Sequence, residues 1–543
     1  MKPRRMVSIL SLGLVVALCA ACSGGDGSVF ATTTATSATS SSPEVSTTGS
    51  TPTTTPDGEV AVGRIEVART DPAAVIEIEG GLLQTDRLVV VLEPGSPAAT
   101  ADAVAASLGG TVIGALEYID LYQISLPAGD EAAVRAAVET ARTLPGVQLA
   151  YADVLVVFSE EYRGVRTSPL TDPVYEGERG GGYRAIGLER AWEYIRGSGI
   201  DPWGVKVGIV DTKLWRGNGE FDEASVTSLN PAIDETATPE AVQAWSGWQT
   251  QSLAPNGGHG TGVATVICGD GGDGGAVGVV TPVLGNRLEC VHTSALDDDL
   301  PGYTLVAPDP NDLTQYTTAA GHTWSVRALQ GLLGQVQAGA KVINMSFECH
   351  NCGTEMSAAY RRFFEQMARD HPDVVFVAAA GNAGDTAPDG SRNLPGGFPL
   401  PNVITVGNVY NDGTTVASSN QSSATFEVTI AAPGHQAVRG VGPDGTVIDN
   451  DAVLGTATQT VNGVQTEASI PAGGGGTSMA APQVTGAIAL MKALDPTLTA
   501  QEIKDILKAS ARPGLPATDG SDTSVPIDPG MGAGLLAVDE AVL

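Results

Sequence analysis

The sequence predicts an α/β chain in two folded parts: a large C-terminal domain built on a mostly parallel sheet, and a small α+β domain ahead of it. Two patterns carry that expectation. Between residues 205 and 494, solid apolar runs such as Val205-Lys206-Val207-Gly208-Ile209-Val210 and Val374-Val375-Phe376-Val377-Ala378 read as strands buried on both faces, as in parallel sheets. They alternate with helical patterns. Between residues 86 and 157 the order is strand, helix, strand, strand, helix, strand, which suits a compact ferredoxin-like sheet with helices on one face.

Length and composition bound what else the chain holds. At 543 residues it would fill roughly three or four units by the ordinary domain size. Hydrophobic residues make up 42% and charged ones 17%, the balance of a globular protein. The formal net charge of −32 repels nucleic acid and anionic lipid at long range, so neither is an expected partner.

The N-terminus has the form of an export signal. Lys2, Arg4 and Arg5 precede an apolar run over residues 6–21, short for a membrane-spanning helix and suited to a secretory leader. The run ends Leu18-Cys19-Ala20-Ala21-Cys22-Ser23, which resembles a bacterial lipoprotein signal, making residues 1–22 the signal and Cys22 the lipidated residue. Cys19 stands where such signals carry Leu, so release into the medium is the alternative to a lipid anchor on the outer face of the membrane. Residues 23–60 are mostly Ser, Thr, Ala, Gly and Pro and cannot bury enough apolar surface to fold, which predicts a flexible tether. The chain ends without a long apolar segment, so any membrane attachment is expected at the N-terminal end.

The small domain is assigned to residues 61–160. Arg87-Leu88-Val89-Val90-Val91-Leu92 predicts a strand, residues 99–108 a helix closed by Gly109-Gly110, residues 111–116 and 122–126 two strands, residues 130–144 a helix, and residues 147–157 a last strand. The order is that of a ferredoxin-like domain. A connector over residues 161–185 leads to the large domain, residues 186–543.

Four segments of the large domain carry chemistry. The strand at residues 205–210 ends in Asp211-Thr212, placing a carboxylate at the C-terminal edge of a parallel sheet, where functional groups gather. Gly257-Gly258-His259-Gly260-Thr261-Gly262 sets a histidine among small residues at the start of a helical pattern. The strand at residues 374–380 delivers Asn382 into a turn bounded by Gly381 and Gly384. Gly473-Gly474-Gly475-Gly476-Thr477-Ser478-Met479-Ala480-Ala481-Pro482 runs from a glycine-rich loop into a helix. This puts Ser478 at a helix N-terminus, where free N–H groups stabilise developing negative charge. Pro482 is expected in the first turn, where a missing N–H is tolerated. Each residue alone has a plainer reading: Asp211 and Asn382 as turn formers, the glycine loop as a phosphate site that lacks its lysine. The histidines His292, His322, His350, His371 and His435 are read as ordinary surface or core residues.

Together, in the order Asp, His, Asn, Ser, these segments resemble the signatures of the subtilase family, as do Lys341-Val342-Ile343-Asn344-Met345-Ser346, Asn402-Val403-Ile404-Thr405-Val406-Gly407 and Ala431-Ala432-Pro433-Gly434. The resemblance implies a subtilisin-like three-layer domain and a serine endopeptidase working through an acyl-enzyme, with Asp211, His259 and Ser478 as the triad and Asn382 in the oxyanion hole. No metal is implied in the chemistry. It also implies that the small domain is an inhibitory propeptide, removed by self-cleavage in the connector. Ser346, Phe347, Glu348, Ala379, Ala380 and Gly381 are the expected substrate-binding walls, and Glu348 would favour basic substrate groups. Lys213 and Glu348 depart from the family's usual glycines, which keeps open a tethered binding protein of the same fold without turnover, and, more weakly, a non-peptide acyl hydrolase. The chain is expected to act as a monomer on proteins or peptides.

Six cysteines are present. With Cys19 and Cys22 in the leader, Cys268, Cys290, Cys349 and Cys352 remain, and an even number in an exported chain favours disulfides. We expect Cys268 with Cys290 and Cys349 with Cys352, one of the pairings open to four thiols. Cys349-His350-Asn351-Cys352 lacks the further ligands of a zinc site. Asp297, Asp298, Asp299, Asp309 and Asp312 lie in an inserted loop that is either solvated or a structural calcium site.

Overall fold

The computed structural model describes residues 63–543 except 79–80, 128, 154, 163–179, 213, 215–225, 230–258, 270–276, 296–315, 350–351, 411–412, 435–436, 442–446, 452–456, 462–463, 469–475 and 517–523. The leader with Cys22, the tether, most of the connector, Lys213 and the acidic loop with Asp297, Asp298, Asp299, Asp309 and Asp312 thus lie outside the described residues. Among the described residues no helix is long and apolar enough to cross a membrane.

The N-terminal domain is a five-stranded sheet. Its strands are β1 (Ile65–Glu66), β4 (Arg87–Leu92), β5 (Val112–Leu116), β6 (Leu121–Ser125) and β7 (Val147–Tyr151), with β2 (Val75–Ile78) and β3 (Gly81–Gln84) forming a separate hairpin. The order β1-β5-β6-β4-β7 is antiparallel throughout. Helix α1 (Ala99–Ser107) and helix α2 (Glu131–Arg142), the latter capped by Asp130 accepting from the Ala133 N–H, cover one face. Leu88, Val90 and Leu92 pack there with Val104 and Ala141. Val89 and Val91 point the other way and join an apolar cluster of the second domain with Val326, Leu329 and Phe363. Side chains alternate across a strand, so a run apolar at every position means both faces are covered. That is why β4 reads as unbroken.

The structure differs from expectation at the end of this domain. Residues 147–157 are not one strand: β7 stops at Tyr151, and β8 (Leu155–Tyr162) leaves the sheet to pair antiparallel with β12 (Tyr316–Trp324) of the large domain. Asp153 lies at the break. Its carboxylate accepts from the Ser325 hydroxyl at 2.7 Å, in a site where Asp153 is 1% exposed. The edge strand β1 was also not expected, since two residues carry no periodicity.

The large domain is a seven-stranded, wholly parallel sheet in the order β10-β11-β9-β13-β14-β15-β16. These strands are β9 (Val205–Asp211), β10 (Val226–Ser228), β11 (Leu288–Ser294), β13 (Val342–Met345), β14 (Val375–Ala379), β15 (Val403–Val409) and β16 (Ile430–Pro433). Four of its helices frame the site: α3 (His259–Cys268), α4 (Ser325–Gln337), α5 (Thr354–Asp370) and α6 (Thr477–Leu494). Val207, Ile209, Val342, Val375 and Val377 pack with α3 and α6, while Val210, Ile343, Met345, Phe376 and Ala378 pack with α4 and α5. The result is three layers.

The small domain sits on α4 and α5. Arg362 of α5 pairs with Asp120 and donates to the Leu92 carbonyl at 2.6 Å and to Gln148 Oε1. Tyr118 donates to Asp370 at 2.9 Å, Arg142 meets Glu355 at 3.0 Å, and Trp324 Nε1 donates to the Thr70 hydroxyl at 2.8 Å.

Candidate active site

Parallel strands deliver the functional residues to one edge of the sheet. Asp211 ends β9 and is fully buried, its Oδ1 accepting from the Thr212 N–H at 2.7 Å. His259, the first residue of α3, is likewise fully buried, and its Nδ1 lies 2.6 Å from the same oxygen. A carboxylate only accepts, so the ring carries its proton on Nδ1 toward Asp211, which leaves Nε2 in position to take one. Gly260 follows, and its N–H donates to the Thr212 hydroxyl at 2.7 Å. A Cβ at Gly260 would stand 2.4 Å from the Thr212 carbonyl oxygen. Only glycine allows that approach.

The third residue stands on the helix that α3 packs against. Helix α6 begins at Thr477, so Ser478 is its second residue, with Met479 lying against Gly262 of α3. Gly476 precedes the helix at φ +101°, and a Cβ there would meet the Asn382 amide at 3.0 Å. Asn382 Oδ1 accepts from the Thr477 N–H at 2.9 Å and from the Thr477 hydroxyl at 3.0 Å, and that hydroxyl accepts from the Gly381 N–H at 3.1 Å. Two donors on Oδ1 fix the amide's orientation and turn its NH2 group the other way.

Pro482 is a correction to the sequence reading. Counted from Thr477 it is the sixth residue of α6, beyond the first turn, and the structure records it inside the helix. The group deprived of a helical partner is the Ser478 carbonyl, and Ser346 Oγ donates to it at 2.8 Å.

Of the expected cleft walls, Ser346 and Phe347 are buried, Phe347 within the apolar cluster under α5, and Ala380 packs with Phe426 and Val428. Ala379 ends β14 and is buried as well. Glu348 is half-buried, and its Oε1 accepts from the Asn382 N–H at 3.0 Å. Its carboxylate is thus tied to the turn carrying Asn382.

His292 was passed over in the sequence. It lies in β11 beside β9, is 1% exposed, and its Nε2 is 2.7 Å from the Thr212 carbonyl oxygen, to which only a ring N–H can bond. Its place directly after Cys290-Val291, four residues from the strand start at Leu288, was the available signal. Thr212, whose hydroxyl and carbonyl tie β9 to α3 and β11, was likewise missed.

The cysteines stand in the expected pairs, Cys268 beside Cys290 and Cys349 beside Cys352, with Cα atoms 6.7 and 5.7 Å apart. Among the described residues no group of three or more His, Cys, Asp or Glu could hold a metal ion.

Comparison with known proteins matches residues 203–532 to the family described as the subtilase family, and residues 70–153 to the fervidolysin N-terminal prodomain. The chain is 25% identical over 502 residues to a probable subtilase-type serine protease of Deinococcus radiodurans, covering 89% of this chain and 59% of that protein. It is 26% identical over 334 residues to fervidolysin of Fervidobacterium pennivorans, covering 61% of this chain and 40% of the relative. The chain therefore spans about half the length of these relatives. The crystal structure of fervidolysin, described as a keratinolytic enzyme related to subtilisin, superposes with a TM-score of 0.54 at 20% identity, over 88% of this chain and 64% of that one. At that identity the likeness is one of fold.

Proposed function

Because the chain belongs to the subtilase family, we propose that it is an exported serine endopeptidase, made with an inhibitory prodomain that it removes itself. The observation that carries the reading is the fully buried contact of His259 Nδ1 with Asp211 Oδ1 at 2.6 Å, at the same sheet edge as a serine on a helix N-terminus.

In this reading Ser478 Oγ attacks the scissile carbonyl while His259 Nε2 takes its proton. Asp211 holds the tautomer and offsets the imidazolium that forms, and His259 then protonates the leaving amine. Water repeats the sequence on the acyl-enzyme. The Asn382 NH2 and the Ser478 N–H donate to the tetrahedral oxyanion, and one such donor contributes about 3 to 4 kcal/mol. The orientation of Asn382 by Thr477 supports that role, since its amide arrives already aimed.

The prodomain acts as the first occupant of the cleft. Its docking on α4 and α5 and the pairing of β8 with β12 support this, because an extended segment added to a strand beside the site is the way a peptide substrate would lie. Cleavage falls in the connector, residues 161–185. Cys22 carries a lipid that anchors the uncut chain outside the membrane and, after cleavage, holds the enzyme there only through the docked prodomain; the sulfur pairs are disulfides in that oxidising setting, and Glu348 favours basic substrates.

Replacement of Ser478 by alanine tests the core of the proposal. The purified variant should neither cleave casein, nor release its prodomain, nor react with a fluorophosphonate probe. Retained activity in that variant would overturn the reading.

A further inference from the structure

We propose that the Ser346 hydroxyl is a positioning group for the nucleophile, holding the Ser478 carbonyl in place of the backbone N–H that Pro482 lacks. The inference rests on the proposed endopeptidase reading and names a role the cleft-wall assignment of Ser346 does not include.

In an α-helix the carbonyl of each residue accepts from the N–H four residues on. For Ser478 that residue is Pro482, which has none. Ser478 is 3% exposed, and a buried carbonyl without a donor is costly enough that native folds nearly always supply one. Here the donor is Ser346 Oγ, at 2.8 Å.

The bond is one link of a chain. Thr485 Oγ1 donates to Asn344 Oδ1 at 2.9 Å, Asn344 Nδ2 donates to Ser346 Oγ at 2.8 Å, and Ser346 donates onward to Ser478. Thr485, Asn344 and Ser346 are all fully buried. The direction is set by chemistry: an amide NH2 cannot accept, so the Ser346 proton must point at the carbonyl. The chain starts and ends on α6 and passes across the end of β13, which pins the first turn of the helix to the sheet. The same strand end presents the Ser346 carbonyl 3.4 Å from Ser478 Oγ. The peptide plane held by Ser346 belongs to the residue that supplies the attacking oxygen, so its tilt sets the direction of attack. A misplacement of about 1 Å costs roughly a hundredfold in rate.

The test is a double-mutant cycle on the full chain, read by prodomain self-release and by the fluorophosphonate labelling rate of the matured enzyme. Ser346→Ala should lower kcat and labelling about 10- to 100-fold with KM nearly unchanged. In the Pro482→Ala background the new N–H can satisfy the Ser478 carbonyl, so the further loss on adding Ser346→Ala should shrink to about threefold or less. An equal loss in both backgrounds, or labelling of Ser346→Ala within about twofold of the parent, overturns the proposal while leaving the endopeptidase reading intact. A parent chain that neither self-cleaves nor labels overturns both. Should Ser346→Ala fail to accumulate, the double variant is expected to fold and label, and its failure too counts against the proposal.

Discussion

Asp153 makes the docked prodomain sensitive to pH, and the sign is opposite to that of an ordinary salt-bridged carboxylate. Burial raises its pKa from 3.8 to about 6, against the opposing pull of the Ser325 hydroxyl, the Val326 N–H and the Arg87 charge. Its Oδ2 has no hydrogen-bond partner among the described residues, and Tyr151 and Tyr360, both held far above the usual phenol range by burial, face the same site. A group whose folded-state pKa is raised contributes stability that is fully present below 3.8 and is lost as pH rises through about 6. The shift of about two units corresponds to ~3 kcal/mol, or about two orders of magnitude in the equilibrium. The perturbation is Asp153→Asn in a Ser478→Ala chain, which stays uncut. Asparagine keeps the shape and cannot ionise. Urea unfolding of the two chains at pH 4.5 and pH 7.5 should show the asparagine variant gaining ~2 kcal/mol on the aspartate chain between the two conditions, since part of the effect is already present at pH 4.5. Other carboxylates titrate in both chains and cancel. A difference that changes by less than about 0.5 kcal/mol with pH would refute the reasoning.

Three further outcomes follow from contacts at the site and the interface. His292→Ala removes the donor on the Thr212 carbonyl and should lower kcat about tenfold while KM holds, and His292→Gln, which can still donate, should recover part of it; stopped-flow acylation kinetics decide this. Gly260→Ala sets a methyl 2.4 Å from that same carbonyl oxygen, so a loss of ~1 to 3 kcal/mol in chemical denaturation is expected, together with slower self-release. Arg362→Ala breaks its bonds to Asp120, Leu92 and Gln148 and should let the cleaved prodomain separate from the enzyme in gel filtration under conditions where the parent pair co-elutes.

Asp211, His259, Asn382 and Ser478 stand out in the sequence because each lies within a short local string, at a strand end or a helix start, whose glycines answer to close approaches at that same spot. The three layers were legible because strands buried on both faces are apolar at every position. What the sequence hid depends on residues far apart in the chain. Nothing near Asp153 announces that Ser325 will meet it, and nothing near His292 says that β11 will lie beside β9. Pro482 was misjudged by stretching the first turn too far: with Thr477 opening the helix after Gly476 at positive φ, Pro482 is its sixth residue.

On the proposed reading, the unbroken apolar run of β4 also ties inhibition to folding. A small sheet covered on one face by its own helices ordinarily alternates apolar and polar residues. Here Val89, Val91, Leu116, Ile119, Leu121 and Tyr151 on the other face are buried in a cluster shared with α4 and α5. Separation from the enzyme would return that face to water and deprive the domain of the larger part of its second core, at about 25 cal/mol per Å² of apolar surface exposed. A domain of this size is marginal even with its core intact. Release and unfolding of the prodomain are therefore coupled, and on the proposed reading that makes removal hard to reverse: an unfolded prodomain would itself be a substrate, destroyed by the activity it had held back.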